Sequence, residues 1–130
     1  MRLYHFTTVL HLPSIMCDGL NRGDVPLSPY KFKNAVWFTT EPDAGQGSDH
    51  GLMGIVDKRA VRITVDIDPK NNRLERWDIA AKRLNIGVGW LKVLDMTGGG
   101  QSRTWWLYWG AIPVNDFFSV EQRNKDGKYE

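Results

Sequence analysis

Three features of the sequence predict an α+β domain. Runs with alternating apolar positions, clearest in "AVRITVDID" at 60–68, read as strands, and two segments near 9–19 and 74–85 carry apolar residues at helical spacing. Glycine- and proline-rich breakers separate them in the order strand, helix, irregular loop, strands, helix, strands. The length of 130 residues suits one domain with one ordinary core. That domain is placed at residues 1–122, and 123–130 is read as a polar tail that should fray.

Each element has its own warrant. "RLYHFT" at 2–7 mixes aromatic and aliphatic residues at near-alternating positions and reads as the first strand. Thr8 is suited to cap a helix over "VLHLPSIMCDGL", in which Val9, Leu12, Ile15 and Met16 share a face, Pro13 sits near the first turn and Gly19 supplies a stop. Residues 21–34 hold two prolines and a glycine among polar residues and read as an irregular loop. The apolar run at 35–40, "AVWFTT", reads as a deep strand, followed by the glycine-rich connection "EPDAGQGSDHGLMG". Leu74, Trp77, Ala81 and Leu84 then define one face of a helix, "GVGWLKVLDM" reads as a further helical turn or a short strand, and "TGGGQS" breaks the chain. Two strand-like runs, "RTWWLYWGAIP" and "VNDFFSVE", hinge at Gly110 to Pro113.

Composition narrows the function classes. Seventeen Lys and Arg stand against fifteen Asp and Glu, spread along the chain, so no basic stripe marks a nucleic-acid face. A lone Cys17 precludes an internal disulfide, no Cys/His set has zinc-ligand spacing, and a reducing, cytoplasmic setting is expected. No window approaches an apolar span of membrane length, so neither membrane nor metal is expected. Six tryptophans are the unusual feature, suited either to a ligand pocket or to the core.

Three pieces in sequence, "LYHFTTVLHLPSIMCDGL", "AVWFTTEPD" and "WWLYWGAIPVNDFFSVE", resemble the ADP-ribosyltransferase superfamily, in particular its small bacterial or phage, DarT-like, RNA 2'-phosphotransferase-like and PARP-like branches. Some twenty-five residues carry the detail. The resemblance implies a split, mostly antiparallel sheet with two or three helices and a central cleft that binds NAD as substrate in a bent conformation. His5 resembles the histidine that hydrogen-bonds the NAD ribose, with Phe6 beside it and Thr7 as the small hydroxyl residue. An imidazole suits that task because its nitrogens donate or accept at a fixed height above the strand. The plainer alternative for His5 is a half-buried strand histidine satisfied by backbone.

The same resemblance implies an aromatic wall for the nicotinamide from Trp37 or Phe38, one ring facing the cleft, with Thr39 and Thr40 in support. Cleavage of the nicotinamide glycosidic bond develops oxocarbenium character, which an acidic side chain on a late strand stabilises in many members. Here that position falls near Arg103, Thr104 or Trp105, none of them acidic, and Glu121 is the only acid at the end of the following strand. Arg22 and Arg103 are candidates for binding diphosphate through bidentate guanidinium contacts, and His50 for closing over the nicotinamide. The expected activity is transfer of ADP-ribose from NAD to a protein or nucleic-acid acceptor. The alternatives are an NAD- or nucleotide-binding module that has lost its acid, an RNA 2'-phosphotransferase-like enzyme, or an interaction protein whose tryptophans form the partner surface.

Overall fold

The computed structural model describes residues 1–43, 58–97 and 101–130. Its elements are β1 (Arg2–Thr7), α1 (Leu12–Asp18), β2 (Asp24–Ser28), β3 (Lys31–Asn34), β4 (Val36–Thr39), β5 (Val61–Asp66), β6 (Leu74–Arg76), α2 (Trp77–Arg83), α3 (Val88–Thr97), β7 (Trp105–Tyr108) and β8 (Phe117–Gln122). Six strands form one sheet in the order β6-β7-β4-β1-β5-β8, and β2 and β3 form a separate hairpin. Every described pairing is antiparallel. The α+β class expected from the sequence is therefore present.

The sheet is buried on two sides, and the strand sequences show how. In β4, Val36 and Phe38 point into one apolar cluster with Leu3, Val61, Ile63, Val65, Leu20 and Ile112, against which Leu12 and Ile15 of α1 pack. Trp37, one residue out of phase, joins the second cluster with Trp77, Ala80, Ala81, Ile86, Leu107 and Val25. The period-two alternation of a strand thus feeds two cores from one apolar run. At about 1.5–3 kcal/mol per fully buried large apolar side chain, both contribute substantially to stability.

Helix ends follow local chemistry. α2 carries Asp78 in its first turn and Lys82 and Arg83 in its last, complementing the helix dipole. It closes with Asn85 at a positive φ of 61°, where the Ile86 N–H reaches Ala81 O and the Asn85 N–H reaches Lys82 O. That double bond pattern satisfies the last carbonyls of the helix. Gly19, at φ 80° and ψ −174°, ends α1 in a region that only glycine adopts readily. A Cβ there would collide with the Ile112 carbonyl, and this close approach lets Leu20 and Ile112 exchange main-chain hydrogen bonds.

Several expectations require correction. Residues 24–34 are a β-hairpin rather than an irregular loop, with Val25 fully buried at its base. Residues 74–76 are a strand and only from Trp77 does the chain turn helical, because Leu74 belongs to the first apolar cluster and Trp77 to the second. α1 begins at Leu12, after a turn in which the Thr8 hydroxyl accepts the His11 N–H at 3.3 Å, so Thr8 does not cap the helix itself. Residues 123–130 are paired to the rest of the fold: Gln122 and Glu130 exchange main-chain hydrogen bonds, and the Tyr129 hydroxyl donates to Arg59 O at 2.8 Å. Residues 88–97 take the helical alternative.

Candidate functional site

The register places His5 within a row that crosses the sheet. Tyr4 pairs with Thr39, so His5 stands opposite Phe38; Phe38 pairs with Trp106, Trp106 with Arg76, His5 with Ile63, and Ile63 with Val120. These residues share one face, the face of the first apolar cluster. His5 and Phe38 meet edge to face with ring centroids 6.0 Å apart. Phe38 is 2% exposed, whereas His5 and Trp106 on either side of it are half-buried. With neighbouring strands about 4.8 Å apart, the backbones carrying His5 and Trp106 lie roughly 10 Å from each other.

The His5 ring is oriented by a hydrogen bond between Nδ1 and the Trp37 carbonyl, at 2.8 Å. A carbonyl only accepts, so in the neutral ring Nδ1 carries the hydrogen and Nε2 is left as an acceptor. No described residue hydrogen-bonds to Nε2. Burial holds the His5 pKa below its ordinary 6.5, partly offset by the bond to Trp37, with the nearby His11 lowering it further. His11, exposed, also approaches the Thr7 hydroxyl with Nδ1 at 3.4 Å. His5 is therefore backbone-anchored, as the plainer alternative had it, and carries an acceptor, Nε2, to which none of the described residues donates.

The remaining candidates are dispersed. Trp37 points to the opposite face, where its ring packs on Trp77 at 5.0 Å and Trp105 at 5.6 Å and its Nε1–H donates to Asp24 O. Of the two rings of β4, Phe38 is the one that shares the face of His5, but it is closed into the core. Thr39 lies on the Trp37 side, its hydroxyl 2.8 Å from that of Thr104. Phe6 also faces that side, against Tyr129 at 5.7 Å. Arg22 is exposed between α1 and β2, and Arg103 is exposed in the turn before β7. His50 lies outside the described residues.

Glu121 pairs with Arg62 across β8 and β5 and so faces away from His5. Its carboxylate accepts from Arg62 Nη2 at 2.9 Å and from the Ser119 hydroxyl at 3.1 Å. Arg62 is further held by Pro42 O at 2.6 Å and lies 4.5 Å from the Tyr129 ring centroid. The acid expected to act beside His5 is thus committed to an ion pair on the other side of the sheet. On the His5 face, no described strand residue is acidic.

Trp106 was missed in the sequence because "WWLYW" offers three tryptophans with no cue to phase. The structure sets the phase through Leu107, whose burial in the second cluster turns Trp106 and Tyr108 to the other face. Tested against an NAD nicotinamide riboside, this face offers an acceptor at Nε2 for a ribose hydroxyl, the Thr7 hydroxyl nearby, and a partly open indole at Trp106 in place of the closed Phe38 ring. Among the described residues, no group of His, Cys, Asp and Glu is placed to hold a metal, and no helix is long and apolar enough to cross a membrane. Comparison with protein-family models, with curated proteins and with solved structures found no match.

Proposed function

We propose that the chain is an ADP-ribosyltransferase-like protein that binds NAD on the His5 face of its sheet. The observation that carries this reading is the oriented imidazole: the Trp37 carbonyl fixes the Nδ1–H tautomer and leaves Nε2 to accept from a ribose hydroxyl. Trp106, two strands away on the same face, supplies the aromatic wall. In this reading His5 and Thr7 orient the sugar, and the half-buried surroundings strengthen those hydrogen bonds relative to water. Transfer of ADP-ribose to a protein or nucleic-acid acceptor is the activity proposed. The free, exposed Cys17 suits the reducing cytoplasm in which we place it.

A second reading, NAD or nucleotide binding without transfer, is favoured by one specific observation: Glu121 faces away from His5 and, among the described residues, no other strand acid takes its place. One experiment addresses both. NAD is added to the purified protein while thermal midpoint and nicotinamide release are followed, for the native chain and for His5→Asn. Asparagine retains a donor for the Trp37 carbonyl and lacks the Nε2 acceptor, so loss of NAD response in a folded His5→Asn protein supports the site. A midpoint shift with nicotinamide release supports transfer, and a shift without release supports the binding module. No shift at NAD concentrations that stabilise known binders overturns both readings.

A further inference from the structure

We propose that a depression at the β6 edge of the sheet, three strands away from the strand that carries His5, is a binding site for a phosphomonoester of nucleotide size. It has a volume of about 400 Å³ and is lined by Asn72, Arg73, Leu74, Glu75, Arg83 and Trp109. That volume lies at the lower end of the range for small-molecule pockets and suits a nucleoside monophosphate.

One wall of the site is pre-formed. Glu75 accepts from Arg83 Nε at 2.9 Å and from Arg83 Nη2 at 2.8 Å, and also from the Trp109 indole N–H at 2.9 Å. The bidentate contact fixes the plane of the Arg83 guanidinium and leaves both hydrogens of Nη1 to a ligand. Arg83 lies 5.5 Å from the Trp109 ring centroid, adding a stacking restraint. Among the described residues the second arginine, Arg73, has no such neutralising partner. Arg73 lies against Gly110, where a Cβ would come 3.1 Å from its Nη1 and 3.3 Å from its Cδ, and its guanidinium meets no acid among the described residues. Its backbone is held by the Trp109 N–H donating to Arg73 O at 2.8 Å and by the Asn71 side chain accepting the Arg73 N–H at 2.9 Å.

The lining therefore carries two guanidinium groups and one carboxylate, an excess of one positive charge. An oxyanion with several acceptor oxygens answers that excess, because each guanidinium presents a planar fork of donors. Trp109 provides an aromatic wall and Asn72 an amide that both donates and accepts, which suits a sugar or base beyond the phosphate.

Calorimetric titration with adenosine 5'-monophosphate, inorganic phosphate and adenosine tests the proposal. The monophosphate is expected to bind, inorganic phosphate to bind more weakly and compete with it, and adenosine to bind at least tenfold more weakly than the monophosphate. Arg73→Ala is expected to weaken the monophosphate by about tenfold and Arg73→Lys by less, with the melting temperature of both near that of the native chain because Arg73 is exposed. His5→Asn should leave this affinity unchanged, which separates the site from the NAD face whatever becomes of that reading. Affinity unaltered in Arg73→Ala, equal binding of adenosine and its monophosphate, or no binding at millimolar ligand would each overturn the proposal.

Discussion

The imidazole of His5 and the main-chain carbonyl of Trp37, on adjacent strands β1 and β4, are joined by a 2.8 Å hydrogen bond. The bond ties the tautomer of the ring to the pairing of the two central strands. It also sets the ring in an apolar neighbourhood, where burial disfavours the imidazolium.

Acidification should destabilise the fold through His5. The folded pKa of His5 lies below 6.5, so on acidification the unfolded chain takes up its proton first. Unfolding free energy should fall as pH drops below about 6.5 and level off once the folded-state pKa has been passed. Denaturant midpoints between pH 7.5 and 5, compared for the native chain and His5→Asn, check this: the variant should lose that part of the slope. An imidazole midpoint at or above 6.5 by NMR would contradict it.

Glu121 should behave as a structural rather than a reacting group. Its partner Arg62 is 15% exposed and Glu121 itself 23%. Glu121→Gln leaves a mostly buried guanidinium short of its counter-charge and should cost about 2 kcal/mol in denaturant unfolding. The same variant should retain any NAD-induced shift in thermal midpoint. Loss of NAD response in a stable, folded Glu121→Gln protein would place the carboxylate in the site after all.

Trp37 offers a parallel test on the opposite face. Trp37→Ala removes its contacts with Trp77 and Trp105 and the bond to Asp24 O, and should destabilise by about 3–5 kcal/mol. Trp37→Phe retains part of the packing and should cost less. NAD affinity of the Phe variant should equal that of the native chain, while Trp106→Ala should weaken NAD binding. A titration of both variants decides between the two indoles.

Gly19→Ala should be costly for a reason independent of any ligand. The new methyl group would strike the Ile112 carbonyl in a backbone conformation that alanine avoids, and the Leu20–Ile112 bridge would have to move. A loss of about 2–4 kcal/mol is expected, larger than for a surface substitution. A variant within 0.5 kcal/mol of the native chain would show that the link between α1 and Ile112 yields easily.

How far the sequence revealed this structure depended on whether a segment had one buried side or two. β5 was legible because its polar positions alternate with Val61, Ile63 and Val65. In β4 every position is apolar or threonine, so alternation gave no phase, and which ring shared the face of His5 emerged only from pairing with β1 and β7. The hairpin of β2 and β3 was hidden by Pro26 and Pro29, which read as loop punctuation although Pro26 is paired within a strand. Leu74 was absorbed into a helical face because Leu74 and Trp77 are three residues apart, a spacing that two different cores satisfied by coincidence. The position of Glu121 relative to His5 had no local signature at all, since it depends on the register of β8 against β5.

The position of β1 between β4 and β5 also bears on how the protein is made. Tyr4 finds its partner only at Thr39, and Arg2 finds its own only at Asp66. At ribosomal speeds of about 5–20 residues per second, β1 waits several seconds with both hydrogen-bonding edges bare. The strand destined for the centre of the sheet is thus, during synthesis, among the stretches most in need of a chaperone, and slowing elongation before codon 66 would be expected to lower the yield of native protein.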